Sequence, residues 1–120
     1  MSAVLPPLLL TMGEPAGVGP EITAAAWEAL RHEPACCFAL LGDADYWQHR
    51  NPGLAVSRID KPAQAASRFA DALPVLHRPL AEAPQAGTIH PSTAPQVIAA
   101  IDEAVDLAFA GEISGIVTNP

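Results

Sequence analysis

A glycine-rich segment near the amino terminus has the residue types best suited to bind a ligand. Residues 13–21 contain Gly13, Glu14, Gly17 and Gly19. Glycine permits positive φ and a close approach of a ligand to backbone N–H groups. A helix is predicted to follow, and its N-terminal N–H groups and dipole would favour an anionic group such as a phosphate or pyrophosphate. The first chemistry that the sequence indicates is therefore anion binding by backbone amides.

This segment departs from the known phosphate-binding loops. It lacks the lysine and hydroxyl residue of a Walker A loop, and Ile22 stands where a Rossmann fingerprint requires Gly or Ala. The carboxylate of Glu14 would also repel a phosphate placed beside it. The glycines could equally serve only to form a tight turn, so both interpretations stay open at this point.

A second group of polar residues follows the last predicted strand. Thr118 and Asn119 stand there, close to the end of the sequence. Ligands of an open parallel sheet bind beyond the carboxyl ends of its strands. If the first and last strands are neighbours, these two residues could hydrogen-bond a polar ligand that faces the glycine segment. The alternative is that they only end a strand.

The histidines and cysteines lack the spacing of a metal centre or an activated nucleophile. The histidines have no i, i+4 pairing and no nearby cysteine; they are His32, His49, His77 and His90. Cys36 and Cys37 are predicted within an apolar strand, without an activating partner. Neighbouring strand residues point to opposite faces, so we expect buried structural thiols rather than a disulfide.

The pattern of apolar runs and breakers predicts the elements that position these residues. Strands are predicted at 8–11, 36–41, 54–59, 73–76 and 113–117. Helices are predicted at 20–31, 44–49, 63–69 and 93–110. The intervening stretch 77–91 is rich in proline and is predicted to be a long loop. This alternation is typical of an α/β fold with a mostly parallel sheet and flanking helices.

The last helix carries more specific expectations. Thr93 and Gln96 have the spacing of a capping box, and Gly111 would supply a left-handed C-terminal cap. The helical spacing predicts one apolar face, formed by Val97, Ile98, Ile101, Val105, Ala108 and Phe109. The other face is acidic and is expected in solvent, with Asp102, Glu103 and Asp106.

Composition limits the classes of partner. The chain has 120 residues, of which half are hydrophobic, and a net charge of -7. It lacks the basic surface that nucleic-acid binding requires. The apolar stretch 4–10 is interrupted by prolines and is far shorter than the roughly 20 residues of a membrane span. Because no signal peptide is recognisable either, we expect a packed cytoplasmic protein with no nucleic-acid or membrane partner.

Two motifs resemble those of a known enzyme family. The segment Thr11-Met12-Gly13-Glu14-Pro15-Ala16-Gly17-Val18-Gly19-Pro20-Glu21-Ile22 closely resembles the opening signature of the 4-hydroxythreonine-4-phosphate dehydrogenase family. A second block begins at Ala86-Gly87 and ends at Ile116-Val117-Thr118-Asn119-Pro120. It is similar to the family's strand that leads into a motif continuing with a His-Lys or Asn-Lys pair. Residues 43–84 match only in their general layout.

The resemblance implies an isopropylmalate-dehydrogenase-like fold, in which residues 1–120 are the N-terminal α/β segment of a larger two-domain enzyme. Such an enzyme of pyridoxal 5'-phosphate biosynthesis oxidises 4-phosphooxy-L-threonine with NAD or NADP. The product, 2-amino-3-oxo-4-phosphooxybutanoate, then loses carbon dioxide. The resemblance further implies a cytoplasmic homodimer and a divalent metal (zinc, magnesium or cobalt) that polarises the reacting hydroxyl. The metal's histidine ligands would lie outside this chain.

The resemblance also implies which residues would form this chain's share of the cleft. The cofactor side would be lined by Gly13, Glu14, Gly17 and Gly19. Thr118 and Asn119 would stand at the mouth of the substrate cleft. No catalytic or metal-binding residue is carried over. The chain ends directly after a strand, so we expect it to be part of a longer polypeptide and to be inactive alone.

Three alternatives stay open. Relatives of this family act on four-carbon sugar-acid phosphates or on aromatic dihydrodiols, and these residues do not separate them. A non-catalytic phosphate- or nucleotide-binding α/β module could use the glycine segment as its anion site. An acyl or phosphoryl transferase would need a basic residue near a phosphate, and no lysine or arginine lies within residues 13–21.

Overall fold

The computed structural model describes residues 5–120 and shows one parallel sheet of five strands with flanking helices. The strands are β1 (Leu8–Thr11), β2 (Phe38–Gly42), β3 (Val56–Ile59), β4 (Leu73–His77) and β5 (Gly115–Thr118). The helices are α1 (Gly19–Leu30), α2 (Ala44–Arg50), α3 (Ala65–Arg68) and α4 (Thr93–Phe109). Two 3₁₀ turns cover Pro34–Cys36 and Pro62–Gln64. The predicted α/β class is confirmed.

The order of the strands decides which loops meet. The sheet runs β3-β4-β2-β1-β5, and every neighbouring pair is parallel. β1 therefore lies between β2 and β5, and Thr11 is in register with Thr118. The first and last strands are neighbours, which was the condition for their two following loops to share a ligand.

The central strands hold the core. Leu9, Leu40 and Val75 lie on β1, β2 and β4, and each is completely buried. Strands of a parallel sheet are covered on both faces, which explains their continuous apolar runs. α1 is tied to the residue after α3 by the indole N–H of Trp27, which donates to the backbone oxygen of Phe69 at 2.7 Å. No helix among residues 5–120 combines the length and apolar character needed to cross a membrane.

The prediction that the cysteines lie in a strand is wrong. β2 begins at Phe38, because Pro34 starts a 3₁₀ turn that ends at Cys36. Proline fixes φ at a value suited to the first position of such a turn. Cys36 and Cys37 are therefore partly exposed thiols before the strand, and both are unpaired. Burial raises the pKa of the Cys37 thiol above its ordinary value.

The capping box predicted for the last helix is also wrong. Thr93 already lies within α4, and its N-cap residue makes no side-chain cap. The amide of Gln96 instead accepts from the backbone N–H of Ala81 at 3.0 Å and donates to the backbone oxygen of Pro79 at 2.8 Å. Gln96 thus fixes the loop after β4 rather than the first turn of its own helix. The left-handed cap is confirmed, since Gly111 has φ of 76°.

The face of α4 that meets the core is different from the predicted one. Ala100 and Ala104 are buried there, because small side chains let the helix approach β1 and β2 closely. Much of the predicted apolar face is exposed to solvent: Ile98, Ile101, Val105 and Phe109. Glu103, which was predicted on the solvent-facing side of α4, is half-buried and pairs with Arg78, the residue after β4.

Candidate functional site

The loops that follow β1 and β5 are in direct backbone contact. Gly13 has φ of 60°, and a Cβ added to it would lie 2.5 Å from the backbone oxygen of Pro120. The backbone N–H of Glu14 donates to the same oxygen at 3.0 Å. Glycine is required at this position, both for the left-handed backbone and for the close approach of the second loop. The structure therefore brings Gly13 and Glu14 together with the segment that contains Thr118 and Asn119.

Asn119 is buried between the two strands and the first helix. Its side-chain amide donates to the backbone oxygen of Thr11 at 3.0 Å and to the hydroxyl of Thr23 at 3.0 Å. A Cβ added to Gly19 would lie 3.2 Å from Asn119 Cβ, so the start of α1 packs closely on this side chain. Because both amide hydrogens are engaged, the geometry favours the interpretation that Asn119 ends β5. Thr118, by contrast, is exposed at the edge of the sheet.

The backbone amides of the glycine segment bond mainly to the protein itself. The N–H of Glu14 bonds to Pro120, and the N–H of Gly17 donates to the backbone oxygen of Glu14 at 2.9 Å. The N–H of Ala16 donates to the Glu14 carboxylate at 3.0 Å. That carboxylate occupies the place that an anionic ligand would take on Ala16. These bonds favour the tight-turn interpretation over an anion cradle; contact of Gly13, Glu14, Gly17 and Gly19 with a cofactor stays a prediction.

Among residues 5–120, the structure gathers one cluster of possible metal ligands that the sequence did not reveal. The ligand atoms of Asp43, Asp45 and His77 lie within 4.8 Å of one another. Asp43 follows β2 and His77 ends β4, and these strands are neighbours in the sheet. No local spacing could have indicated the cluster, because the two strands are separated in sequence by β3 and α3.

The hydrogen bonds of this cluster do not fit a metal centre. The carboxylate of Asp43 caps α2 by accepting from Tyr46 N at 3.0 Å, and its second oxygen accepts from Leu80 N at 2.9 Å. His77 Nδ1 accepts from the backbone N–H of Ala44 at 3.1 Å. A neutral imidazole that accepts at Nδ1 carries its proton on Nε2, which then has no lone pair for a metal. Asp43 and His77 therefore serve as acceptors for backbone N–H groups, and Asp45 pairs with Arg58.

A concavity lies beside the glycine segment at the same edge of the sheet. Its volume is about 230 Å³, and its lining includes Met12, Arg78, Gln96 and Glu103. Hydrogen bonds to Glu103 raise the pKa of Arg78 above its ordinary value, so the guanidinium stays charged. Larger concavities of about 420 and 310 Å³ are lined by residues that precede the strands, such as Pro6. These larger concavities lie at the amino-terminal ends of the strands, opposite to the loops that follow β1 and β5.

The architecture is that of a partial α/β domain built on a parallel sheet. Ligands of such sheets bind beyond the carboxyl ends of the strands, and we call this end of the sheet the ligand-facing edge. No family model matches the chain. A curated 4-hydroxythreonine-4-phosphate dehydrogenase of Caulobacter vibrioides is 44% identical over 114 residues, which are 95% of this chain and 34% of that protein. The enzyme of the same name from Xanthobacter autotrophicus is 38% identical over 117 residues, 95% of this chain and 33% of that protein.

Solved structures agree with the curated relatives. A crystal structure of a 4-hydroxythreonine-4-phosphate dehydrogenase from Burkholderia phymatum is 25% identical, with a TM-score of 0.76 over 98% of this chain and 37% of that chain. The enzyme of that name from Klebsiella pneumoniae is 26% identical, with a TM-score of 0.74 over 100% and 38%. The chain is thus homologous to 4-hydroxythreonine-4-phosphate dehydrogenases and spans about a third of the length of its curated relatives. The expected resemblance is confirmed.

Proposed function

We propose that the polypeptide to which this chain contributes oxidises 4-phosphooxy-L-threonine with NAD or NADP, in pyridoxal 5'-phosphate biosynthesis. The observation that carries the proposal is the 44% identity, over 95% of the chain, to the 4-hydroxythreonine-4-phosphate dehydrogenase of Caulobacter vibrioides. Identity at this level over 95% of the chain supports a common architecture, including the loops at the ligand-facing edge. Because the chain spans about a third of its relatives, the activity is proposed for the whole polypeptide.

The proposal assigns the divalent metal to residues outside this chain. A bound metal would polarise the reacting hydroxyl as a Lewis acid. In the one cluster found among residues 5–120, Asp43 and His77 accept from backbone N–H groups, and Asp45 pairs with Arg58. We therefore propose no metal ligand and no catalytic residue in residues 1–120.

In this proposal the chain supplies one wall of the cleft between two domains. The Gly13 turn closes on the loop after β5, and Thr118 lies exposed beside it. The turn holds a compact shape through its own hydrogen bonds, which suits a surface that a nicotinamide cofactor packs against. Contacts to the cofactor phosphates would come from elsewhere, since the amides of Ala16 and Gly17 are already bonded. That bonding weakens the case for a phosphate-binding module.

The proposal extends to the assembly and its setting. The substrate is a small phosphorylated amino acid, the enzyme is a homodimer, and residues 1–120 form its N-terminal α/β segment. The unpaired thiols of Cys36 and Cys37 suit a reducing compartment such as the cytoplasm. The net charge of -7 argues against a nucleic-acid partner.

The test is a pair of assays on purified protein. The product of the full reading frame is incubated with 4-phosphooxy-L-threonine, a divalent metal and NAD or NADP, and reduced cofactor is followed by absorbance. We expect metal-dependent turnover there and none from the 120-residue chain alone. Absence of turnover by the full product would refute the activity. Turnover by the isolated chain would refute the location of the reactive groups.

A further inference from the structure

Arg50, the last residue of α2, reaches the glycine segment from a neighbouring element. Its Nη1 donates to the backbone oxygen of Pro15 at 2.8 Å and to the Tyr46 hydroxyl at 2.9 Å. Its Nη2 donates to the backbone oxygen of Gly17 at 2.7 Å and to the Glu21 carboxylate at 2.6 Å. One guanidinium therefore holds two carbonyls of the turn and the first turn of α1.

This guanidinium is committed to the protein. An arginine has five N–H donors, of which four are on the terminal nitrogens, and the bonds of Arg50 occupy those four. Its side chain is only 10% exposed. Burial lowers the pKa of Arg50, but hydrogen bonds to Tyr46 and Glu21 outweigh it, so the group stays charged. A buried guanidinium with this many partners fixes the positions of the groups that it contacts, and it has few N–H donors left to bind an incoming anion.

Tyr46 extends the same contact to the long loop after β4. Its hydroxyl lies 3.0 Å from the backbone oxygen of Pro15 and 2.9 Å from that of Pro84. The long loop is bonded to the glycine segment a second time, because Gly87 N donates to the backbone oxygen of Ala16 at 2.8 Å. The Arg50 guanidinium also lies over the Tyr46 ring, 5.6 Å from its centre. Two loops at the ligand-facing edge are thus joined through one pair of side chains.

We propose that Arg50, supported by Tyr46, is a positioning residue that fixes the turn at residues 13–19 in the shape that receives the nicotinamide cofactor. The cofactor part of this inference rests on the proposed function. The positioning part rests on the geometry alone. Lysine cannot replace arginine here, because a single ammonium cannot satisfy two carbonyls, a hydroxyl and a carboxylate in their fixed directions.

The first test measures amide hydrogen exchange across residues 13–19 in the product of the full reading frame. Because Arg50→Met removes every charge-assisted hydrogen bond that Arg50 makes to the turn, we expect local exchange to be about tenfold faster or more. Arg50→Lys should give an intermediate increase, and it serves as the second variant if Arg50→Met does not fold. The matched control is Arg58→Met, because Arg58 lies on β3 and pairs with exposed Asp45, which is on the same helix as Arg50. Exchange in the Arg50→Lys protein equal to that of wild type would overturn the positioning role.

The second test separates cofactor binding from chemistry. For Arg50→Lys we expect the KM for NAD or NADP to rise about tenfold while kcat stays within about twofold, since loosening of a binding wall weakens binding. Arg58→Met should leave both constants unchanged. Faster exchange with an unchanged KM would overturn the cofactor link. If the wild-type protein is inactive, the proposed function and that link both fail, while the exchange measurement still decides the positioning role.

Discussion

Replacement of Gly13 by alanine tests the contact between the loops after β1 and β5. Alanine in the left-handed region costs about 1–2 kcal/mol. The new Cβ would also lie 2.5 Å from the backbone oxygen of Pro120, and relief of such overpacking costs about 1–3 kcal/mol. The two effects together lower the free energy of unfolding by about 2–5 kcal/mol. Urea unfolding of the purified protein measures this change.

Gly53 provides the matched control for this substitution. Its φ of 87° is also left-handed, but nothing lies within 4 Å of an added Cβ. Gly53→Ala therefore carries only the conformational cost of about 1–2 kcal/mol. The difference between the two variants, about 1–3 kcal/mol, isolates the backbone contact. Equal destabilisation by the two substitutions would refute the claim that the end of β5 closes on the turn.

Three further predictions concern other parts of the structure. In the same urea assay, Trp27→Phe should lower the free energy of unfolding by about 1–3 kcal/mol more than Trp47→Phe does. Trp27→Phe removes a hydrogen bond to Phe69, whereas the buried indole N–H of Trp47 has no partner among the described residues. Burial raises the pKa of Cys37. Near neutral pH its alkylation should therefore be slower than that of a peptide thiol, and the rate should keep rising at more alkaline pH. An alkylation rate that depends on pH as a peptide thiol's does would contradict this. His77→Gln should leave the metal content of the purified protein unchanged by atomic emission, and loss of metal would show that His77 is a ligand.

The elements of this fold were predictable because their signals are local. The short apolar runs that became β1 and β4 are bounded by breakers, and a buried parallel strand needs no more than that to be recognised. The turn at Gly13 could be located for a similar reason, since glycine and proline mark it in the sequence. Homology added the family, which local patterns alone do not reveal.

The contacts at the ligand-facing edge were not predictable because they depend on strand order. Asn119 bonds to Thr11 across 108 residues, and Arg50 reaches Gly17 across 33. Neither contact has a local signature. The face of α4 was misjudged for a related reason: alanines at Ala100 and Ala104 give a weak hydrophobic signal, yet close packing on the sheet favours them.

The central claim is that the turn after β1 forms one wall of a cofactor cleft whose reactive groups lie outside residues 1–120. The most direct measurement is a crystal structure of the full reading frame's product with NAD or NADP bound. We expect atoms of residues 13–19 to lie within about 4 Å of the cofactor, and every metal ligand to lie beyond residue 120. A bound cofactor remote from this turn, or a metal held by Asp43 and His77, would contradict it.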